Sequence, residues 1–115
     1  MKSKFETLEL AIEFSKQASS LSELPYHAKD QLSRASLSIS LNLAEGAARF
    51  TRNEKRRFYR MAFGSLKECQ TLMKIYMKDK TELIALADVL GAKLWKLLMS
   101  LENKAPQKTP LTVNR

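Results

Sequence analysis

The stretch Gln31-Leu-Ser-Arg-Ala-Ser-Leu-Ser-Ile-Ser-Leu-Asn-Leu-Ala-Glu-Gly46 decides the fold. Within it Leu32, Ala35, Ile39, Leu43 and Gly46 recur at steps of three and four, the spacing of one helical face. A second apolar set, Leu37, Leu41, Ala44 and Ala48, lies about 180° round the same helix. A four-helix bundle gives each of its helices one inward face, so the second stripe calls for further helices in the chain or for another subunit. Self-association through Leu37, Leu41, Ala44 and Ala48 is therefore expected. Between the stripes runs a polar line of Arg34, Ser38, Asn42 and Glu45, at helical spacing.

Working outward, Pro25 suits the first turn of this helix, where its missing N–H costs nothing, and the helical pattern runs over about 26–49. Upstream, Phe5, Leu8, Ile12 and Ser15 mark one face of a helix over about 4–20. Downstream, Thr51-Arg-Asn-Glu54 has the form of a capping box and predicts a third helix starting at Arg52, with an apolar repeat reaching Met77. Thr81 offers a new N-cap, and Leu83, Leu86, Leu90, Leu94, Leu97 and Leu101 trace the apolar face of a fourth helix. Three glycines and three prolines in 115 residues leave few turn residues for an all-β design, while 44% hydrophobic content suffices for one core. The expectation is an all-α, up-down-up-down four-helix bundle over residues 4–103. The segment 104–115, with Pro106 and Pro110 and no apolar period, is expected to be a disordered tail.

The charge is concentrated. The chain carries a net +8, and residues 49–80 hold ten Lys and Arg against Glu54, Glu68 and Asp79. Arg52, Arg56, Arg60, Lys67, Lys74 and Lys78 fall within an arc of about 80° on the third helix, with Phe63 among them. Phe58, Met61, Ala62, Ser65, Cys69, Leu72 and Tyr76 are assigned to the opposite face, pointing into the bundle. A basic helix face is often merely solvated. Here the acids that would neutralise a solubilising face are scarce, which tips the reading toward phosphate recognition by Arg49, Arg52, Lys55, Arg56, Arg57, Arg60, Lys67, Lys74 and Lys78. A membrane fits less well, because the face opposite the charges is needed for the core.

Catalytic chemistry is poorly provided for. Asn42, Glu45, Ser65 and Glu68, with Arg34 as counter-charge, are read as a buried hydrogen-bonded network and not as a carboxylate or metal centre, since a di-metal bundle needs more carboxylates and Glu-x-x-His pairs. His27 is the one histidine and is expected at the surface, while Cys69 is expected as a small buried thiol. Trp95 and Tyr76 are most simply core residues, although either could stack on a base if exposed. No phosphate-binding loop or dinucleotide fingerprint occurs. No enzymatic activity, cofactor or metal is expected. A lone cysteine excludes an intrachain disulfide, and with neither a signal-like segment nor a membrane span the expected location is the cytoplasm.

The segment quoted first, followed by Phe58 and by Ala62-Phe-Gly-Ser-Leu-Lys-Glu68, resembles the four-helix bundle proteins encoded in 23S ribosomal RNA intervening sequences. That family's pattern runs Arg-Ala, Ser-Ile, Asn-Ile-Ala-Glu-Gly and a later Gly-Ser-x-x-Glu. This chain has Leu43 in place of the isoleucine, a conservative change. Arg34, Asn42, Glu45, Gly46, Gly64, Ser65 and Glu68 match it by position. The resemblance implies a bundle assembling into a ring-like homopentamer, similar in fold to accessory proteins of diversity-generating retroelements, which bind nucleic acid and a reverse transcriptase.

Together these readings predict a non-enzymatic, nucleic-acid-binding oligomer acting on ribosomal or related structured RNA, with DNA as a second ligand. The alternative is a protein-interaction scaffold whose basic face docks an acidic partner such as a reverse transcriptase or polymerase.

Overall fold

The computed structural model describes residues 2–79 and 81–102; the tail expected over 104–115 lies outside the described residues. Four helices follow one another, α1 Lys2–Ser19, α2 Tyr26–Ala48, α3 Arg52–Tyr76 and α4 Glu82–Glu102, with no strand among the described residues. Local chemistry sets their ends. Pro25 stands at the start of α2 with φ −57° and accepts the Lys29 N–H through its carbonyl at 2.9 Å. Thr51 Oγ1 accepts the Glu54 N–H at 3.1 Å, and Thr81 Oγ1 accepts the Ile84 N–H at 3.3 Å. Each hydroxyl satisfies one of the N–H groups that a helix start leaves without an internal partner.

The connections span 20–25, 49–51 and 77–81, short enough that successive helices must lie side by side and antiparallel. α1 packs on α2, α2 on α3, α3 on α4, and α4 returns to α1, closing the bundle. The core is drawn from one seam per helix. Thr7, Ala11, Phe14 and Ala18 come from α1, and Ala28, Leu32, Ala35, Ile39, Leu43 and Gly46 from α2. Tyr59, Ala62, Leu66, Cys69 and Met73 come from α3, and Leu83, Ala87, Leu90, Leu94 and Leu98 from α4. The alternation of three- and four-residue steps is the signature of near-parallel ridge-into-groove packing. Full burial of a side chain such as Leu66 or Leu94 contributes about 2 kcal/mol.

The inward stripe expected for α2 is the one observed. Two other faces differ from expectation. On α1, Phe5 and Ile12 are exposed; the buried side carries Ala11 and Ala18 around Phe14, because the small residues let the helix approach closely while one aromatic ring fills the space. On α3 the buried seam is rotated by about 70° from the face expected at sequence level. Met61 is exposed and Phe58, Ser65, Leu72 and Tyr76 are half-buried, while Tyr59, Leu66 and Met73 are inside. The buried series faces α2 and α4 at once, with Tyr59 against Gly46 and Leu66 beside Gly91, which the equally apolar Phe58, Met61 and Leu72 series does not. Trp95, expected in the core, is 50% exposed.

Leu37 and Leu41, the second stripe of α2, are 51% and 60% exposed, and Ala44 and Ala48 are exposed beside them. Across the α1–α2 boundary the stripe meets Leu8 and Ile12 in a shallow groove that also includes Ser40. The result is a ribbon of apolar surface spanning two helices. No helix among the described residues is long and apolar enough to cross a membrane.

Candidate nucleic-acid interface

Rotation of α3 moves its basic stripe from the outer side of the bundle to the flank bordering α4. Several of its cations therefore meet partners. Arg60 Nη2 donates to Glu102 Oε2 at 2.5 Å, and Arg56 Nε lies 4.0 Å from the same carboxylate oxygen. Two guanidinium groups thus share one carboxylate at the end of α4, leaving a net positive charge. Beyond α2, Arg49 forms an ion pair with Glu45 one turn earlier and stands 4.8 Å over the Phe58 ring. Arg57 covers the same ring at 5.1 Å. Lys55 Nζ donates to the carbonyls of Gly46 and Ala47 at 3.4 and 3.2 Å. It neutralises the negative end of α2, so its first role is to cap a helix and not to await a ligand.

What remains is a set of exposed cations without a carboxylate partner among the described residues: Arg52, Arg57, Lys67, Lys74 and Lys78. Lys67 Nζ sits 5.2 Å from the centre of the Phe63 ring, a cation over an aromatic face. Lys74 and Lys78 line an open cleft between α3 and α4, together with Gln70, Asp79, Ile84 and Asp88. Arg52 to Lys74 spans about 33 Å at the helical rise of 1.5 Å per residue, long enough to follow several phosphates. Lys80, counted in the charge of this segment, lies outside the described residues.

The polar line of α2 is smaller than expected. Ser38 Oγ and Ser65 Oγ are 2.9 Å apart across the α2–α3 seam, and Asn42 Nδ2 donates to the Ser38 carbonyl at 2.9 Å and to Ser38 Oγ at 3.1 Å. Arg34, Glu45 and Glu68 take no part. Arg34 is exposed and pairs with Asp30, Glu45 pairs with Arg49, and Glu68 is exposed. An ionised side chain that can reach water stays there, because desolvation costs more than one hydroxyl partner returns.

Groups with catalytic potential are scattered. His27 is exposed, and its Nε2 shares a hydrogen bond of 3.2 Å with the Tyr76 hydroxyl. The Cys69 thiol is buried, and burial, with a smaller effect from the Glu68 charge, pushes its pKa up to about 12. It is a neutral thiol in the core, without the thiolate that nucleophilic chemistry requires. Among the described residues no group of three or more His, Cys, Asp or Glu side chains is placed to hold a metal ion.

Sequence reasoning missed three features of this surface. Glu102 as the shared partner of Arg56 and Arg60 follows from a contact 42 residues away in the chain. The packing of Phe63 against Trp95, with ring centres 5.8 Å apart, joins α3 to α4. Tyr59 fills the space over Gly46, and its hydroxyl is buried without a hydrogen-bond partner among the described residues.

No curated protein matches the chain. Residues 3–89, which include all of α2 and α3, match the family described as 23S rRNA-intervening sequence protein. With the match covering most of its length and its fold all-helical, the chain belongs to the 23S rRNA-intervening sequence protein family.

Proposed function

We propose that the protein is a non-enzymatic, nucleic-acid-binding homo-oligomer that engages the phosphates of 23S rRNA intervening sequences, or of related structured RNA, along the α3 surface. One observation carries this reading: Arg52, Arg57, Lys67, Lys74 and Lys78 are exposed along one helix and its end with no carboxylate partner among the described residues. A row of cations that the fold does not neutralise is a surface for a polyanion. RNA stands ahead of DNA on the family's description, since phosphate contacts by themselves treat the two alike.

Self-association is supported by the apolar ribbon of Leu37, Leu41, Leu8 and Ile12, an exposed surface that a second copy would cover. A pentameric ring would repeat the basic face around its circumference and multiply the phosphate contacts. The test is binding of single-stranded and duplex RNA over a series of salt concentrations. If one subunit engages about four phosphates, log K falls with log salt at a slope near −3 for single strands, and more steeply when several subunits share one RNA. Absence of binding at low salt, with salt-sensitive capture of an acidic protein instead, would replace this reading with that of a docking scaffold.

A further inference from the structure

Beside the cations, α3 and α4 together build an open groove that a purely phosphate-binding surface does not need. Phe63, Lys67 and Gln70 line it from α3, and Asp88, Gly91 and Trp95 from α4. The indole and the phenyl ring are tilted by 45° with centres 5.8 Å apart, leaving half of Trp95 open to solvent. Gly91, one turn before Trp95, lines the same groove where α4 faces α3, and a Cβ there would meet Leu66 Cδ2 at 3.4 Å and Gln70 Nε2 at 3.8 Å.

The charge pattern says what kind of group fits. Asp88 lies in the groove, where it accepts a hydrogen bond from Gln70 Nε2 at 3.3 Å. A carboxylate repels a phosphate, so the groove itself is unsuited to the backbone of a nucleic acid. A base has no such conflict: it offers flat faces to the rings and donor and acceptor edges to the carboxylate and amide. Lys67, on the rim over Phe63, and Lys74, two turns further on, are placed to hold the flanking phosphates.

We propose that the Phe63–Trp95 pair is a stacking platform for an unpaired base, so that this surface selects single-stranded segments of a nucleic acid over continuous duplex. This inference rests on the nucleic-acid reading above and adds the class of ligand to it. An unpaired base can be splayed onto a side-chain ring, whereas a base within a duplex is already stacked on its neighbours.

Trp95 is the one tryptophan of the chain, so its fluorescence reports on this groove directly. Titration with a short single-stranded RNA should quench the emission, while a duplex of the same sequence should bind through phosphates without quenching it. Trp95→Ala should weaken single-strand binding by roughly five- to hundred-fold and leave duplex binding unchanged; Trp95→Phe, which keeps a ring, should restore most of the loss. Circular dichroism melts accompany both variants, and their half-exposed position predicts an intact fold. Equal affinity of wild type and Trp95→Ala for the single strand, without quenching, overturns the platform while leaving salt-dependent phosphate binding in place. A blue shift of the emission with protein concentration alone overturns it too, because the indole would then be covered by a second copy. If neither RNA form binds at low salt, the nucleic-acid reading fails and the platform with it.

Discussion

A Cβ atom on Gly46 would lie 2.6 Å from Cε1 and 2.8 Å from Cδ1 of the Tyr59 ring, so α2 and α3 reach their observed separation only because residue 46 has no side chain. The backbone there is ordinary helix, and the requirement is one of close approach. The Phe58 Cβ, at 3.1 Å from the same point, closes the other side.

Gly46→Ala should therefore destabilise the protein, although alanine is the better helix former by about 1 kcal/mol. The ring is buried and cannot swing away, and overpacking of this kind costs about 1 to 3 kcal/mol. Gly64→Ala is the matching control. Nothing lies within 4 Å of its added Cβ, so that variant should gain up to about 1 kcal/mol. Thermal or urea melts that move both variants in one direction would contradict the close-approach account.

Cys69 makes stability depend on alkaline pH. Its folded pKa is raised, from an ordinary value of 9.0 to about 12, chiefly by burial. The thiol's contribution is fully present below the unfolded pKa. It is lost as pH rises toward the folded value, because the unfolded chain releases its proton first. Between these limits stability should fall by up to about 1.4 kcal/mol per pH unit from this group. Cys69→Ala should flatten that part of the profile, and a thiol reagent at neutral pH should label wild type only as fast as it opens.

Glu102 competes with any polyanion for Arg56 and Arg60. Glu102→Gln should raise affinity for RNA and steepen the salt slope by roughly 0.7 to 1.4, one or two extra phosphate contacts on a single strand. Its cost in stability should stay below about 1 kcal/mol, as for other solvent-accessible ion pairs. The triple variant Arg52→Glu, Lys67→Glu, Lys74→Glu should do the reverse and abolish most of the slope. These three make no carboxylate contact among the described residues, so the fold should survive the change.

The hydroxyl network predicts unequal effects along α2. Asn42→Ala removes two hydrogen bonds to Ser38 and should cost about 1 to 2 kcal/mol, whereas Glu45→Ala, exposed and paired only with Arg49, should lie within about 0.5 kcal/mol of wild type. Comparable losses at both positions in denaturant titrations would refute this division.

Leu41→Glu tests the apolar ribbon. With 60% of its surface already exposed, the substitution should leave the monomer's melting temperature nearly unchanged. Sedimentation should nonetheless show dissociation, because an interface core does not tolerate an unpaired carboxylate. An assembly of undiminished size would move the interface elsewhere on the bundle.

Sequence by itself determined the number, order and approximate ends of the helices, because caps such as Thr51 and Thr81 and the break at Pro25 act through neighbours a few residues away. It also determined the inward face of α2, where Leu32, Ile39 and Leu43 have no stronger rival toward the core, and it marked Leu37 and Leu41 as a stripe that the core would not absorb. Tertiary structure decided which of two apolar series on α1 and on α3 is buried. In isolation Phe5 and Ile12, or Phe58 and Met61, are as hydrophobic as the residues that displaced them. The choice between the two was made by fit: Tyr59 against Gly46, and Phe14 between two alanines. The rotation of α3 then settled the candidate site, since it carried Arg56 and Arg60 to Glu102 and Phe63 to Trp95. A charge's partner and a ring's neighbour are long-range contacts, and helical periodicity within one segment holds no information about them.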